Sequence, residues 1–424
     1  MIGFLTQLIR RGLLICLIAG FVSATLADST NSAWFTRVWR TSDGLPNNNV
    51  MAVAQRRDGF LWVATPVGLA RFDGVEFSPF SYRASGNGAD QGVHAMLPSR
   101  AGGLLVVPNE GLVTCLDANF SRALALTIGL SETNVPMNVT EDGDGSVWIA
   151  YSGNAVVRIG DGRPAQFVQQ DGASPQRLIF DLITDAAGNV WLANGDANHS
   201  GVCVFRDGQF RTVARFKFKD TPRVATAGSN GVWIANGTQL FKCDVQGKLE
   251  TIGQFQPEAP DSQPLALIED HAGAVWIGSV NNGLFRYNGK EFEKIETSHP
   301  TILSLTEDQE GNIWAGTAGG GLDRISPRSV KLEGLDTGSS LVTIQSICED
   351  TNGVLWGATQ NGLLVSRVDG KWIPELTNET WLGVVTCVAS DRDGGLWIGT
   401  ANRQLYYWRN ASTRPGRETR AWRK

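Results

Sequence analysis

At 424 residues the chain is long enough for one large domain or two ordinary ones, and its formal net charge of −5 offers no basic footprint for nucleic acid. Its 49 Gly and 14 Trp, without a marked excess of Lys or Glu, favour turn-rich all-β structure over helices.

Residues 1–27 read as a secretory signal peptide: Arg10 and Arg11, an apolar run from Leu13 to Val22, then small residues around Ala24 and Ala27, either of which could precede the cleavage site. Because Met1 to Ile9 is also largely apolar, an uncleaved membrane anchor is the rival reading. Export predicts a periplasmic or extracellular location, and cleavage makes the body more acidic by removing two Arg. After Cys16, five cysteines remain (Cys115, Cys203, Cys243, Cys348 and Cys387). All fall in predicted strands without a Cys-x-x-Cys pair, which suits single apolar thiols better than a disulfide framework.

Trp34 to Arg40 alternates apolar and polar residues like an outer strand, yet no unit precedes it. It can supply the last strand of a ring and remove two open sheet edges. From Val50 onward one unit repeats. Its clearest copy runs from Leu265 through the acidic turn Glu269-Asp270-His271-Ala272-Gly273, then Val275-Trp276-Ile277, Leu284 to Tyr287, the turn Asn288-Gly289 and Phe292 to Ile295. These are four short strands joined by three turns. The Trp recurs as Trp62, Trp148, Trp191, Trp233, Trp276, Trp314, Trp356 and Trp397, with Leu105 in the missing place between the first two. Nine units at a spacing of roughly 40 residues, four strands each, are the mark of β-propeller blades.

The spacing shortens before Trp314, and after Pro327 the stretch Val330 to Asp336 echoes Val38 to Leu45. The reading is a seven-bladed β-propeller over 34–328, two blades of an incomplete second ring over 329–408, and an unstructured Arg-rich tail over 409–424. A single nine-bladed ring is the alternative.

Chemical motifs are sparse. Only His94, His199, His271 and His299 are present, and no nucleophile elbow, zinc pair, P-loop or dinucleotide fingerprint occurs. His94 matches Met51 and Met137 in the repeat and reads as a core residue. Acidic turns such as Glu141-Asp142-Gly143-Asp144-Gly145 superficially resemble calcium loops but lack the terminal bidentate Glu. They read instead as tight turns whose acid bonds its own backbone. The mid-strand Trp residues read as packing between blades, not as a sugar-stacking platform. No cofactor, metal or catalytic residue is expected.

What remains is the rim where loops after the Trp strands meet the links between blades. It collects Asn47, Asn48, Asn49, Asn109, Glu110, Arg177, Asn194, Asp196, Asn198, His199, Asn281 and Asn282. Paired amide donors and acceptors suit an oligosaccharide or other small polar ligand. The long blade-four loop Asn194 to Gly201 is the leading candidate.

Phe60-Leu61-Trp62-Val63-Ala64-Thr65, Gly68 to Gly74, Ser42-Asp43-Gly44-Leu45-Pro46-Asn47-Asn48 and Glu307 to Thr317 resemble bacterial two-component regulator propeller repeats, and the resemblance covers about residues 34 to 408. In that family two seven-bladed propellers usually form the exported ectodomain of a membrane sensor. An immunoglobulin-like module, a membrane helix and a histidine kinase usually follow, and glycans are frequent ligands. The resemblance implies perception of a ligand without catalysis, in a chain that lacks the kinase part and could self-associate through propeller edges. The alternative is a secreted propeller enzyme, a lyase or glycan hydrolase, with Glu110 and Asp196 converging across a funnel.

Overall fold

The computed structural model describes residues 33–82, 92–109, 112–119, 123–125, 135–152, 155–160, 166–167, 169–170, 178–196, 198–217, 221–228, 231–256, 262–328, 343–368, 371–376, 384–408 and 422–423. The expected signal peptide lies outside them, as do Glu110 and Arg177. Among the described residues no helix is long and apolar enough to cross a membrane. The structure is all-β, its strands pairing antiparallel except for Gln169–Gln170, which runs parallel to its partner Gln209–Lys217, and among the described residues it has one short 3-10 turn at Thr41–Asp43.

The repeat unit follows from its residues. Pro264–Glu269, Val275–Ser279, Gly283–Tyr287 and Phe292–Ile295 pair in that order. The last hairpin pairs Tyr287 with Phe292, so its loop is four residues, not the two that Asn288-Gly289 alone would need. Only Gly289 takes a positive φ, while Asn288 Oδ1 accepts from the amides of Lys290 and Glu291. In the first seven units the second strand is buried on both faces, because a neighbouring sheet covers each side, whereas in the ninth Trp397 is 41% exposed.

Residues Ser32–Arg328 form one compact unit. Among the described residues it holds seven sheets, whose inner strands are Ala52–Gln55, Val93–Pro98, Pro136–Glu141, Leu178–Thr184, Arg223–Thr226, Pro264–Glu269 and Ile302–Glu307. Each inner strand lies beside the next, and Ile302–Glu307 lies beside Ala52–Gln55, which closes the circuit. The sheets are called blades 1 to 7 in that order. Trp34–Trp39 pairs with Leu322–Pro327 and serves as the outer strand of blade 7, so the two ends of the ring share one sheet.

The blades are held by apolar layers between them. Trp62 packs with Val93, Met96 and Leu104 of the next blade, and Trp276 with Ile302 and Ile313 of the next. Leu105, standing in the Trp position of blade 2, packs with Val139 and Ile149. Each buried indole removes on the order of 4 to 6 kcal/mol worth of apolar surface from water.

A second unit includes Ser329–Lys424. Its described residues form two sheets with inner strands Ile344–Glu349 and Val385–Ser390, sharing a core of Trp356, Leu364, Val385, Leu396, Ile398 and Trp408. Within the Arg-rich tail, Trp422–Arg423 pairs with Tyr407 and Trp408 as a fourth strand. A two-residue strand is too short to leave an alternating pattern in the sequence.

Candidate ligand channel

Down the axis of the seven-sheet unit runs a cavity of about 430 Å³ to which all seven inner strands contribute. Its wall is built by a recurring irregularity. In blades 2, 3, 4, 6 and 7 the pairing of the inner strand slips by one residue, leaving His94, Met137, Phe180, Leu265 and Leu303 as bulge residues. A bulge re-aims its side chain away from the sheet, and these five line the cavity together with Met51 of blade 1. The sequence correctly groups His94 with Met51 and Met137. What it takes for packed core is cavity wall.

The next residue of each inner strand sits at one register position, opposite the second residue after the Trp position. Around the ring this place holds Ala52, Ala95, Asn138, Asp181, Arg223, Ala266 and Ser304. Four blades use Ala or Ser, and the three consecutive blades 3 to 5 use an amide, an acid and a guanidinium. Asn138 Nδ2 donates to Asp181 Oδ1 at 2.9 Å. Asp181 also accepts from the amides of Leu182 (3.0 Å) and Val224 (3.1 Å). Arg223 Nη1 donates to the Phe180 carbonyl, while its Nε is buried with no hydrogen-bond partner among the described residues. Burial pushes the Asp181 carboxyl above the usual carboxylate range, opposed by Arg223, the two backbone amides and Asn138. Burial, and secondly the Arg223 charge, hold His94 below the ordinary imidazole value, favouring the neutral ring. The sequence signal for this sector was available: aligning the repeats on Trp shows three polar residues in succession where the other copies are small.

The rim residues mostly serve the turns that carry them. Asn47 Oδ1 accepts from the Asn49 amide, and Asn48 Oδ1 from the Thr41 amide, while the Asn48 carbonyl accepts from Gly319 and Gly321. The Asn109 amide donates to Gly92, and Asn281, at φ 59, exchanges hydrogen bonds with Thr301. Asn282 is buried and donates to the Val280 carbonyl. The Asn194 to Gly201 stretch is not a long loop. Val190–Gly195 and His199–Arg206 pair through Asn194 with Gly201 and Gly195 with Ser200, so the hairpin simply continues. Asp196 Oδ1 closes it by accepting from the amides of Asn198 and His199, both exposed. Asn194 is fully buried in its strand, three residues after Trp191. That is the place where Thr65, Ser279 and Thr317 bond across the same turn in other blades.

The acidic turns also resolve into structure. Asp142 Oδ1 accepts from the amides of Asp144 and Ser146, and its Oδ2 accepts from the Trp148 indole at 2.8 Å. Asp185, Asp270, Asp308 and Asp350 do the same for Trp191, Trp276, Trp314 and Trp356. Among the described residues no cluster of His, Cys, Asp and Glu has the makings of a metal site.

Three stretches, residues 44–66, 298–319 and 382–402, match the family described as two component regulator propeller. No curated protein matches the chain in sequence. Among solved structures, it is similar to the extracellular domain of the hybrid two component system BT3049 of B. thetaiotaomicron, with a TM-score of 0.63 and 18% identity over 90% of this chain and 54% of that one. It is similar to the extracellular domain of BT4673 from the same organism at a TM-score of 0.56 and 17% identity, covering 89% and 52%. Virginiamycin B lyase of Staphylococcus aureus shares the fold at a TM-score of 0.57 and 12% identity, covering 69% and 99%. The chain therefore spans about half the length of the two sensor ectodomains. It is an all-β propeller chain that carries two component regulator propeller repeats.

Proposed function

We propose that the chain is a ligand-perceiving part of an extracytoplasmic sensor, and that the axial cavity, more than the loop rim, holds the ligand. The observation that carries this reading is the run of Asn138, Asp181 and Arg223 at one register position on three consecutive blades. They face a cavity otherwise walled mainly by Met, Leu, Ile, Phe and Ala. Small-molecule sites have this composition, a mostly apolar wall with a few convergent polar groups that fix orientation. The resemblance to extracellular sensor domains and the signal-like sequence of residues 1–27 support a periplasmic or extracellular setting.

Binding without conversion suits the polar sector. Asp181 has its oxygens directed to two backbone amides and Asn138, which suits holding a position better than moving a proton. Any signalling output would depend on a kinase part acting with this chain.

The test is a thermal-shift screen of the full chain against small polar compounds, including oligosaccharides and organic acids. It is repeated on Ala52→Phe, which fills the cavity from the blade-1 side. Stabilisation of the parent that is lost in a folded Ala52→Phe variant supports the reading. Stabilisation that survives it moves the site to the rim.

A further inference from the structure

Resting on that reading, we propose that the group recognised in the cavity is a compact oxyanion, a carboxylate or phosphate, seated against Arg223 with His94 beside it. A guanidinium is a planar fork of five donors that matches an oxyanion in two parallel hydrogen bonds. The acid on the adjoining blade, Asp181, feels the Arg223 charge yet makes its hydrogen bonds elsewhere. It directs its oxygens to the amides of Leu182 and Val224 and to Asn138 Nδ2. Arg223 lines the cavity half-buried and is anchored through Nη1 to the Phe180 carbonyl. A cationic fork on a largely apolar wall is stabilised by an anionic ligand.

The surroundings narrow the ligand further. Met51, Met137, Leu265 and Leu303 supply apolar wall around the polar sector, so a charge there is weakly screened and meets few competing polar groups. His94 lines the same cavity and lies within the electrostatic reach of Arg223. As a neutral ring it offers one N–H donor to an anion without adding a full charge. At about 430 Å³ the cavity suits a small molecule and not a polymer.

The experiment follows the His94 ring protons by NMR in the full chain, which has four histidines to resolve. Succinate and inorganic phosphate are the anionic probes, and succinamide is the neutral counterpart of succinate. The expected result is that an anion shifts the His94 resonances and raises its pKa, because it offsets the Arg223 charge. Succinamide leaves both unchanged, and Arg223→Gln weakens the anion response at least tenfold. Arg223→Lys keeps the charge without the fork and should retain part of the response, which separates recognition from folding. If succinamide shifts His94 as strongly as succinate, the cavity binds ligands but the oxyanion inference falls. If no anion moves His94, the inference falls. Anion effects confined to other residues overturn the choice of the cavity as well.

Discussion

The Asp308 carboxylate accepts the Trp314 indole hydrogen at 2.7 Å while its other oxygen holds the amides of Glu310 and Asn312. One acid six residues before the Trp therefore fixes the turn and supplies the indole's acceptor. Removing it in Asp308→Ala leaves a buried indole N–H without its partner and opens the turn, a loss of about 2 to 3 kcal/mol. A lower melting temperature and faster hydrogen exchange at the Trp314 indole would report it. Unchanged indole protection would show that the bond contributes nothing to the blade.

Blade 5 provides the inverse experiment. Ala227 stands six residues before Trp233, where blades 3, 4, 6 and 7 place the acid, and Trp233 Nε1 is buried with no hydrogen-bond partner among the described residues. The Ala227 amide already pairs with the Gly231 carbonyl, as Asp270 pairs with Ala274, so the two ends of the turn meet as they do in blade 6. Ala227→Asp should add about 1 kcal/mol of stability by restoring the missing acceptor. A fall in melting temperature would mean that desolvating the new carboxylate outweighs the bond.

The periodic part of this molecule was legible because every blade must cover its neighbour. The same apolar layer recurs at each Trp, and the Asp-Gly turns recur with it. The ring-closing role of Trp34 to Arg40 could be read because an unpartnered strand pattern needs a place. The cavity was not read, for a physical reason. A residue such as His94 or Phe180 has an apolar or neutral character that fits packed core equally well, and only the one-residue slip in pairing turns it toward the axis. The amides at Asn47, Asn281 and Asn282 pose the opposite difficulty. Polar side chains that serve their own turns look, in sequence, like polar side chains offered to a ligand. The ninth unit shows how the device drifts: Asp391 accepts from the Tyr407 hydroxyl at 2.7 Å, and Trp397 is 41% exposed.

Closure of the ring rests on Trp39, which is 3% exposed, stacks on Trp314 at 5.2 Å and meets Phe72 edge-on at 5.3 Å. Those two partners come from the last and first blades, so one side chain spans the seam. Trp39→Ala should cost about 3 to 5 kcal/mol. It should also make the Leu322–Pro327 edge accessible, because the strand that covers it loses its main anchor. Limited proteolysis should then cut first near residues 33–40. Cleavage elsewhere, with the N-terminal strand still protected, would place the weak point away from the seam.

The two perturbed histidines predict opposite limbs of the stability–pH curve. His94 has its pKa lowered in the fold by burial and then by Arg223, so the unfolded chain binds the extra proton. Its contribution is complete above the unfolded value of about 6.5 and is lost as pH falls toward the folded value, with a slope of at most about 1.4 kcal/mol per pH unit. His271 is the reverse case. Its hydrogen bond to Glu307, and secondly the charge of that acid, raise its pKa in the fold. That contribution is complete below about 6.5 and fades as pH rises through the folded value. The ring is exposed, so solvent screens the pair and the effect is the smaller of the two. Melting temperature measured from pH 5 to 8 should therefore rise through the acid range, and the rise should flatten in His94→Met, which matches Met51 and Met137 in the repeat. His271→Ala should leave that acid limb intact and alter only the decline above 6.5. An acid limb that persists unchanged in His94→Met would assign it to other groups and remove His94 from the account.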